Sequence, residues 1–251
     1  MEQIKRLKCL SSSALKIIAM VCMLCDHIWA TVAPGYEETL WLTMVGRLAF
    51  PIFAFQIAEG FSRTDNAHAY KKRLFWMAVI TEIPFNLMNS GSVIWPLHQN
   101  VLFTFWLAVL ILGRLKGCKE RDSLYYILNV VIFSLVGYVA GILLFVDYYG
   151  YGVLMVILFY VCRDLPYGRI GELAGMAYIN WHLMKGLVIP IQIGGGELSV
   201  PLQGLAILAL IPIWMYNGEK GRHYKVVRPL CYGFYPAHIL ILALIEMFVL
   251  N

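Results

Sequence analysis

Charge is scarce in this chain. Asp, Glu, Lys and Arg make up 14% of the 251 residues, against about 25% in an ordinary soluble domain. That is too little polar surface to cover a water-facing fold. No linker or loop is long enough to hold a soluble lobe, so residues 1–251 read as a single transmembrane helical domain. No small-x-small cleavage site follows the first apolar segment, which reads as a retained span rather than a signal peptide. A glycine-rich phosphate loop is missing too; Gly194-Gly195-Gly196 falls in an expected outer loop and reads as a flexible turn. The six cysteines form no secreted framework. Most lie in apolar segments, where cysteine behaves as a small hydrophobe, and free thiols are expected. The net charge of +5 is spread over loop ends, which excludes nucleic acid as the partner it serves.

What is present is apolar. Hydrophobic residues are 60% of the chain, in long runs separated by short charged loops. The fold class is therefore an all-α polytopic integral membrane protein whose first partner is the lipid bilayer. Nine spans are expected, at 11–32, 41–61, 72–89, 98–114, 123–142, 147–162, 170–190, 199–216 and 230–250. The division between the fifth and sixth rests on Asp147 and the Tyr-Tyr-Gly that follows. With the amino terminus in the cytoplasm, seventeen of the 20 Lys and Arg fall in inner segments. The other three, Lys16, Arg47 and Lys185, lie inside or at the edges of spans. The outer loops hold only Glu37, Glu38 and Glu197, with Asp147 at the outer turn. This is the positive-inside pattern, and it puts the carboxyl terminus outside.

Polar groups in the hydrocarbon region are costly and face a cavity or a partner. The first span carries Lys16 and His27, eleven positions apart. At 100° per residue they share one helix face, ~16 Å apart along the axis. Asp26 points about 100° away on the same wheel. The second span holds Arg47 toward its outer end and Gln56 and Glu59 toward its inner end; Pro51 should kink it. Arg47 either pairs with Asp26 and headgroups or acts in chemistry, and Glu59 either pairs with a basic residue of the next loop or meets a ligand. Glu82 and Asn86 lie one turn apart around Pro84, and Asn100 and Thr104 one turn apart at the start of the fourth span. Asn180, His182 and Lys185 sit in the seventh span, and Tyr235, His238 and Glu246 in the ninth. His98 belongs to an outer loop or cap, and His68 and His223 to exposed cytoplasmic loops.

The string Cys22-x-x-Cys25-Asp26-His27 invites a metal or redox reading, and helix geometry opposes both. Cys22 and Cys25 share a face, but His27 lies about 200° beyond Cys25. A c-type haem would need the histidine directly after the second cysteine. A redox pair normally sits at a helix amino terminus, and this one is deep in a span. No metal is expected.

Five segments together resemble the TraX family of bacterial membrane proteins: ALKIIAMVCMLCDHI, GRLAFPIFAFQIAEGF, YKKRLFWMAVITEIPFNL, NVLFTF and YGFYPAHILIL. The family takes its name from a conjugation protein associated with amino-terminal acetylation of a pilin subunit. More distantly, the chain resembles the acyltransferase type 3 class of membrane enzymes. In that class the first span carries a basic residue, ten intervening residues and a catalytic histidine, the spacing of Lys16 and His27 here. Lysine stands where arginine is usual, which keeps the charge but loses the bidentate fork.

The resemblance implies a bacterial inner-membrane, multi-pass acyltransferase. It would move an acyl group, such as acetyl, from cytoplasmic acetyl-CoA or another acyl-CoA to a peptide, glycan or lipid acceptor at or beyond the outer face. His27 suits a general base. Asp26 or Glu82 would orient it, and Arg47 would stabilise an oxyanion. Lys16, Glu59, Lys72 and Arg73 are the candidates around the coenzyme, which acts as co-substrate rather than resident cofactor. Asn86, Asn100, Thr104, Tyr235 and His238 are the candidates around the acceptor. The rival reading is a proton-coupled transporter or flippase built on Arg47, Glu59, Glu82 and His238.

Overall fold

A computed structural model describes residues 8–33, 37–184, 186–193 and 196–250, without the side chains of 190–193 and 196–198. Lys185 and the Gly194-Gly195 part of the expected flexible turn lie outside the described residues. The chain forms two compact units. The first comprises residues up to Phe53 and from Arg169 to Phe234. The second comprises Ala54–Gly168 and Tyr235–Val249.

The first unit begins with α1, Ser12–Thr31. Ser11 caps it, its hydroxyl accepting the Ala14 N–H at 3.3 Å, which satisfies one of the orphan donors of a first turn. A 3-10 turn at Glu37–Thr39 leads into α2, Leu40–Gly46. Next comes α3, Ala49–Ser62, of which the part up to Phe53 belongs to this unit and the rest to the second. The expected second span is thus two helices with a break at Arg47-Leu48. Pro51 has no N–H for the carbonyl four residues back, that of Arg47, so the backbone ladder fails there. The kink is the expected one, displaced by one turn from the proline.

This unit also holds a hairpin that corrects the all-α expectation. The expected seventh span stops at Leu183, and Val188–Ile193 (β1) pairs antiparallel with Gly196–Pro201 (β2), from Val188 opposite Pro201 to Ile193 opposite Gly196. Its Val-Ile-Pro-Ile run is β-branched, which suits a pleated strand better than a helix end. A 3-10 segment, Leu202–Ala209, and the short helix α9, Leu210–Trp214, stand where the eighth span was expected. α10, Tyr224–Ile245, runs on as a π segment over Glu246–Leu250.

The second unit contains α4 (Ala67–Ser90), α5 (Val101–Cys118), α6 (Ser123–Leu143) and α7 (Tyr149–Cys162). α8, Gly168–Ala177, follows in sequence and belongs to the first unit; it continues as a π segment over Tyr178–Leu183. Polar caps start three of these helices: Asn66 for α4, Asn100 for α5 and Asp122 for α6. α4 ends on Gly91 at φ 65°, the left-handed geometry that glycine adopts without strain. Small residues let α6 and α7 approach. A Cβ on Gly141 would lie 2.7 Å from the Gly150 Cα, so only glycine fits, as in close-packed membrane helix pairs. The core around α5 holds Val109, Leu112 and Leu115, each fully buried.

Among the described residues, five helical stretches are long and apolar enough to cross a membrane: Ser12–Thr31, Glu37–Ser62, Val101–Cys118, Ser123–Leu143 and Tyr224–Leu250. Tyr149–Cys162 and Leu202–Trp214 are apolar but shorter. α6 exposes Leu124, Val131, Leu135 and Leu143, each by more than half. Such an apolar surface suits lipid rather than water. The turn between α6 and α7 falls at Asp147, as expected, with Phe145, Tyr148 and Tyr149 all at positive φ (51°, 59° and 45°). Three bulky residues in the left-handed region mark a strained turn.

Candidate functional site

In the first unit, Asp26 and Arg47 are paired. This was one of the alternatives left open for Arg47. Both side chains are about one-fifth exposed, 20% and 21%. The Thr43 hydroxyl donates to the same Asp26 oxygen at 2.7 Å and accepts from Arg47 Nη2 at 3.0 Å. Arg47 Nε reaches the Thr43 carbonyl at 3.3 Å, and Nη1 donates to Gln203 Oε1 at 3.3 Å. Gln203 in turn donates from Nε2 to Asn180 Oδ1 at 3.0 Å, and Asn180 Nδ2 donates to the Met176 carbonyl at 2.8 Å. Asn180 and Gln203 are buried. The backbone carbonyl at Met176 fixes the orientation of both amides, so Gln203 must present oxygen, not nitrogen, to the guanidinium. The guanidinium is thereby held on three sides.

His27 follows Asp26 on α1 and is half-buried. Its own carbonyl accepts from the Thr31 hydroxyl at 2.7 Å. Lys16, also half-buried, donates to the Ser12 hydroxyl at 2.7 Å. Cys22 is buried and Cys25 half-buried, and both are free thiols. Among the described residues no group of three or more His, Cys, Asp or Glu is placed to hold a metal ion.

In the second unit, Glu82 accepts the Asn100 backbone N–H at 3.2 Å and its side-chain Nδ2 at 2.5 Å, both through Oε2. Asn100 Nδ2 also donates to the Ala78 carbonyl at 2.8 Å, and its Oδ1 caps α5 at Leu102 N. Glu82 Oε1 and Asn86 Oδ1 are buried with no hydrogen-bond donor among the described residues. Buried acceptors without donors are rare and costly. Thr104 donates to the Asp147 carbonyl at 2.5 Å, and His98 Nε2 lies 3.5 Å from Asp147 Oδ1. The hydrogen bond to Asp147 holds the imidazole above its ordinary pKa; burial pulls the other way, and Glu82 adds to the rise. Tyr235 is buried, with Val101, Asp147 and Glu82 in reach of its hydroxyl. Its ring centroid is 5.9 Å from that of His238, which is buried too. The acceptor candidates Asn86, Asn100, Thr104, Tyr235 and His238 thus share one unit with Glu82.

The candidates around the coenzyme do not form one cluster. Glu59 is buried, with Arg163 Nε at 2.8 Å from one oxygen and Arg63 Nε at 2.5 Å from the other. That is the pairing alternative, doubled. Lys72 and Arg73 are exposed on α4, and Arg73 lies over the Tyr70 ring at 5.8 Å. His68 and His223 are exposed, as expected, but His68 lies in the first turn of α4 rather than in a loop. Three participants were missed. Thr43 precedes Arg47 by one helical turn, a spacing that could have found it. Nothing in the sequence marks Gln203, and His98 was read as a cap.

No solved structure matches this chain. A relative from Dichelobacter nodosus, described as "Probable fimbrial assembly protein FimC, serogroup H1", is 28% identical over 249 residues, covering 95% of this chain and 96% of that one. The family described as TraX protein matches residues 11–246, which include Lys16, His27, the Asp26–Arg47 pair and the Glu82 cluster. The chain belongs to the TraX family.

Proposed function

We propose that this protein is an inner-membrane acyltransferase that takes an acyl group, such as acetyl, from cytoplasmic acyl-CoA. It delivers the group to an acceptor at or beyond the outer face. The reading takes nine spans with the amino terminus inside, the short segments at Tyr149–Cys162 and Leu202–Trp214 crossing where the bilayer thins around them. The observation that carries it is the fixed Asp26–Arg47 pair beside His27 on the helix that also bears Lys16.

His27 is the general base, taking the proton of the acceptor as it attacks the thioester carbonyl. The tetrahedral oxyanion is stabilised by the guanidinium of Arg47, whose orientation is set before substrate arrives by Thr43 and Gln203. Asp26 supplies the countercharge that keeps Arg47 in place. Collapse of the intermediate expels the CoA thiolate and leaves the acyl group on the acceptor. Lys16 attracts the phosphates of the coenzyme from the inner end of the same helix face. The carboxylate of Glu59, occupied by two arginines, is left out of this scheme. The relative's description speaks of fimbrial assembly, which favours a surface-destined protein subunit among the acceptor classes.

The test uses the purified chain in lipid nanodiscs, given labelled acyl-CoA and membranes from a strain lacking the gene as acceptor source. Release of free CoA with label transfer, lost in His27→Ala, is the expected result. Intact acyl-CoA, together with dissipation of a solute gradient by the protein in vesicles, would favour the transporter instead.

A further inference from the structure

The basic residues at the inner end of α1 are gathered, not scattered. Lys16 Nζ lies 5.7 Å from the centroid of the Tyr224 ring, and Lys220 Nζ lies 5.8 Å from the same centroid. Arg228 stands one turn beyond Tyr224 on α10 and is within electrostatic reach of Lys16. Tyr224 and Arg228 therefore form one stripe, turned toward α1. The loop that carries Lys220 is built against the first turn of α1. Ser12 N–H donates to the Glu219 carbonyl at 2.8 Å, and the Ser13 hydroxyl donates to the Lys220 carbonyl at 2.8 Å. Gly221, at φ 89°, lets the chain turn there; a Cβ would meet the Ser11 hydroxyl at 2.5 Å. Two ammonium groups share one aromatic face system, which attracts each of them while they repel one another. Exposed Arg222 and Lys225 flank the site, and Glu219 is the carboxylate beside it. The sum is strongly positive, in a fixed frame.

We propose that Lys16, Lys220, Tyr224 and Arg228 form a binding site for a phosphate-ester anion carrying at least two charges. The identity of that anion as the phosphates of acyl-CoA rests on the transferase reading; its binding does not. Two lysines on one ring, with Arg228 within electrostatic reach of Lys16, offer several phosphate oxygens donors at once, which a single surface lysine cannot. Two sources share the chemistry: a soluble polyphosphate and the headgroup of an anionic lipid at the inner leaflet.

The full chain is placed in phosphatidylcholine nanodiscs and titrated with pyrophosphate, CoA and dephospho-CoA. The expected result is competitive binding of pyrophosphate and CoA, weakened by salt. The double variant Lys220→Ala/Arg228→Ala should lose about tenfold in affinity, and Lys220→Arg/Arg228→Lys should retain it. Binding absent in these discs, with a thermal shift on adding cardiolipin, whose headgroup carries two phosphates, that the double variant abolishes, assigns the site to the lipid headgroup. Loss of neither kind of binding in the double variant, or no response to pyrophosphate, CoA and the anionic lipid alike, overturns the proposal. The two readings separate cleanly. Acyl-CoA consumed with a KM untouched by the double variant, and no lipid-dependent thermal shift, sinks the anion site and spares the transferase. Pyrophosphate bound at this cluster by a protein that never consumes acyl-CoA does the reverse.

Discussion

Gly46 lies against Asp26, so close that a Cβ built on the glycine would fall on the aspartate's own side chain, 2.5 Å from its Oδ1. The glycine is what lets α2 come near enough to α1 for Thr43 and Arg47 to reach that carboxylate. Gly46→Ala must push Asp26 aside and break the pair with Arg47. The expected cost is about 2–4 kcal/mol, overpacking added to a disrupted partly buried ion pair. Thermal unfolding in detergent reads it. The nearest obstruction is the Asp26 Cβ itself, so only Asp26→Gly clears the space, and Gly46→Ala should cost much less in that background. Equal costs in both backgrounds would show that the side-chain clash is not the cause.

Glu59 is predicted to matter for folding more than for coenzyme binding. Its carboxylate joins Arg63, at the end of its own helical stretch, to Arg163 after α7. Glu59→Gln leaves two guanidinium groups facing an amide and should lower stability by about 1–3 kcal/mol. Arg63→Ala should cost less, because that side chain is 46% exposed and solvent screens the pair. A large rise in the KM for acyl-CoA in Glu59→Gln, with an unchanged melting temperature, would contradict this.

The helical segments were legible because hydrophobic runs and loop charges report the same boundaries twice. The Asp147 turn was legible for a further reason: a charge and a glycine interrupt an otherwise continuous apolar run. The hairpin at Val188–Pro201 was not. A short run of β-branched residues reads equally as strand or helix end, and only pairing decides. That Lys16 and His27 stand on one helix followed from the hydrophobic run and its periodicity. The Asp26–Arg47 pair was one of two readings, since periodicity says which residues share a face but not which faces meet. Gln203 lay beyond reach because its partner Arg47 is 156 residues away, and no local pattern encodes such a meeting.

The loop before α5 should respond to pH through His98. Asp147 raises the imidazole above the ordinary value of about 6.5, so the folded protein binds the proton more tightly than the unfolded chain. The stabilisation is therefore fully present below about pH 6.5 and is lost as pH rises through the raised value. The Asp147 N–H also donates to the Gln99 carbonyl, and the Gln99 N–H to the Phe145 carbonyl, which anchors the strained turn. The wild-type melting temperature should fall, relative to His98→Gln, between neutral and mildly alkaline pH. Parallel curves for the two proteins would mean that the 3.5 Å contact contributes nothing to stability.

Glu82 and Asn86 should respond to amide–acid exchange with opposite signs. Each carries one buried oxygen that meets no donor among the described residues, and the two residues lie one turn apart on α4. Glu82→Gln removes a buried charge, keeps an oxygen for Asn100, and turns the bare oxygen into an NH2 that can donate to Asn86 Oδ1. Stability should hold or rise by about 1 kcal/mol. Asn86→Asp does the reverse. It adds a second carboxylate one turn from the first and removes the NH2 that donates to the Val93 carbonyl at 3.3 Å. A loss of about 2 kcal/mol is expected, smaller at acid pH where the new carboxyl is protonated. Acyl transfer should fall in Glu82→Gln despite its stability, because a site kept at a cost to folding is kept for what it binds. Melting curves and label transfer measured on the same preparations test both halves. A Glu82→Gln protein that is less stable yet fully active would refute them together.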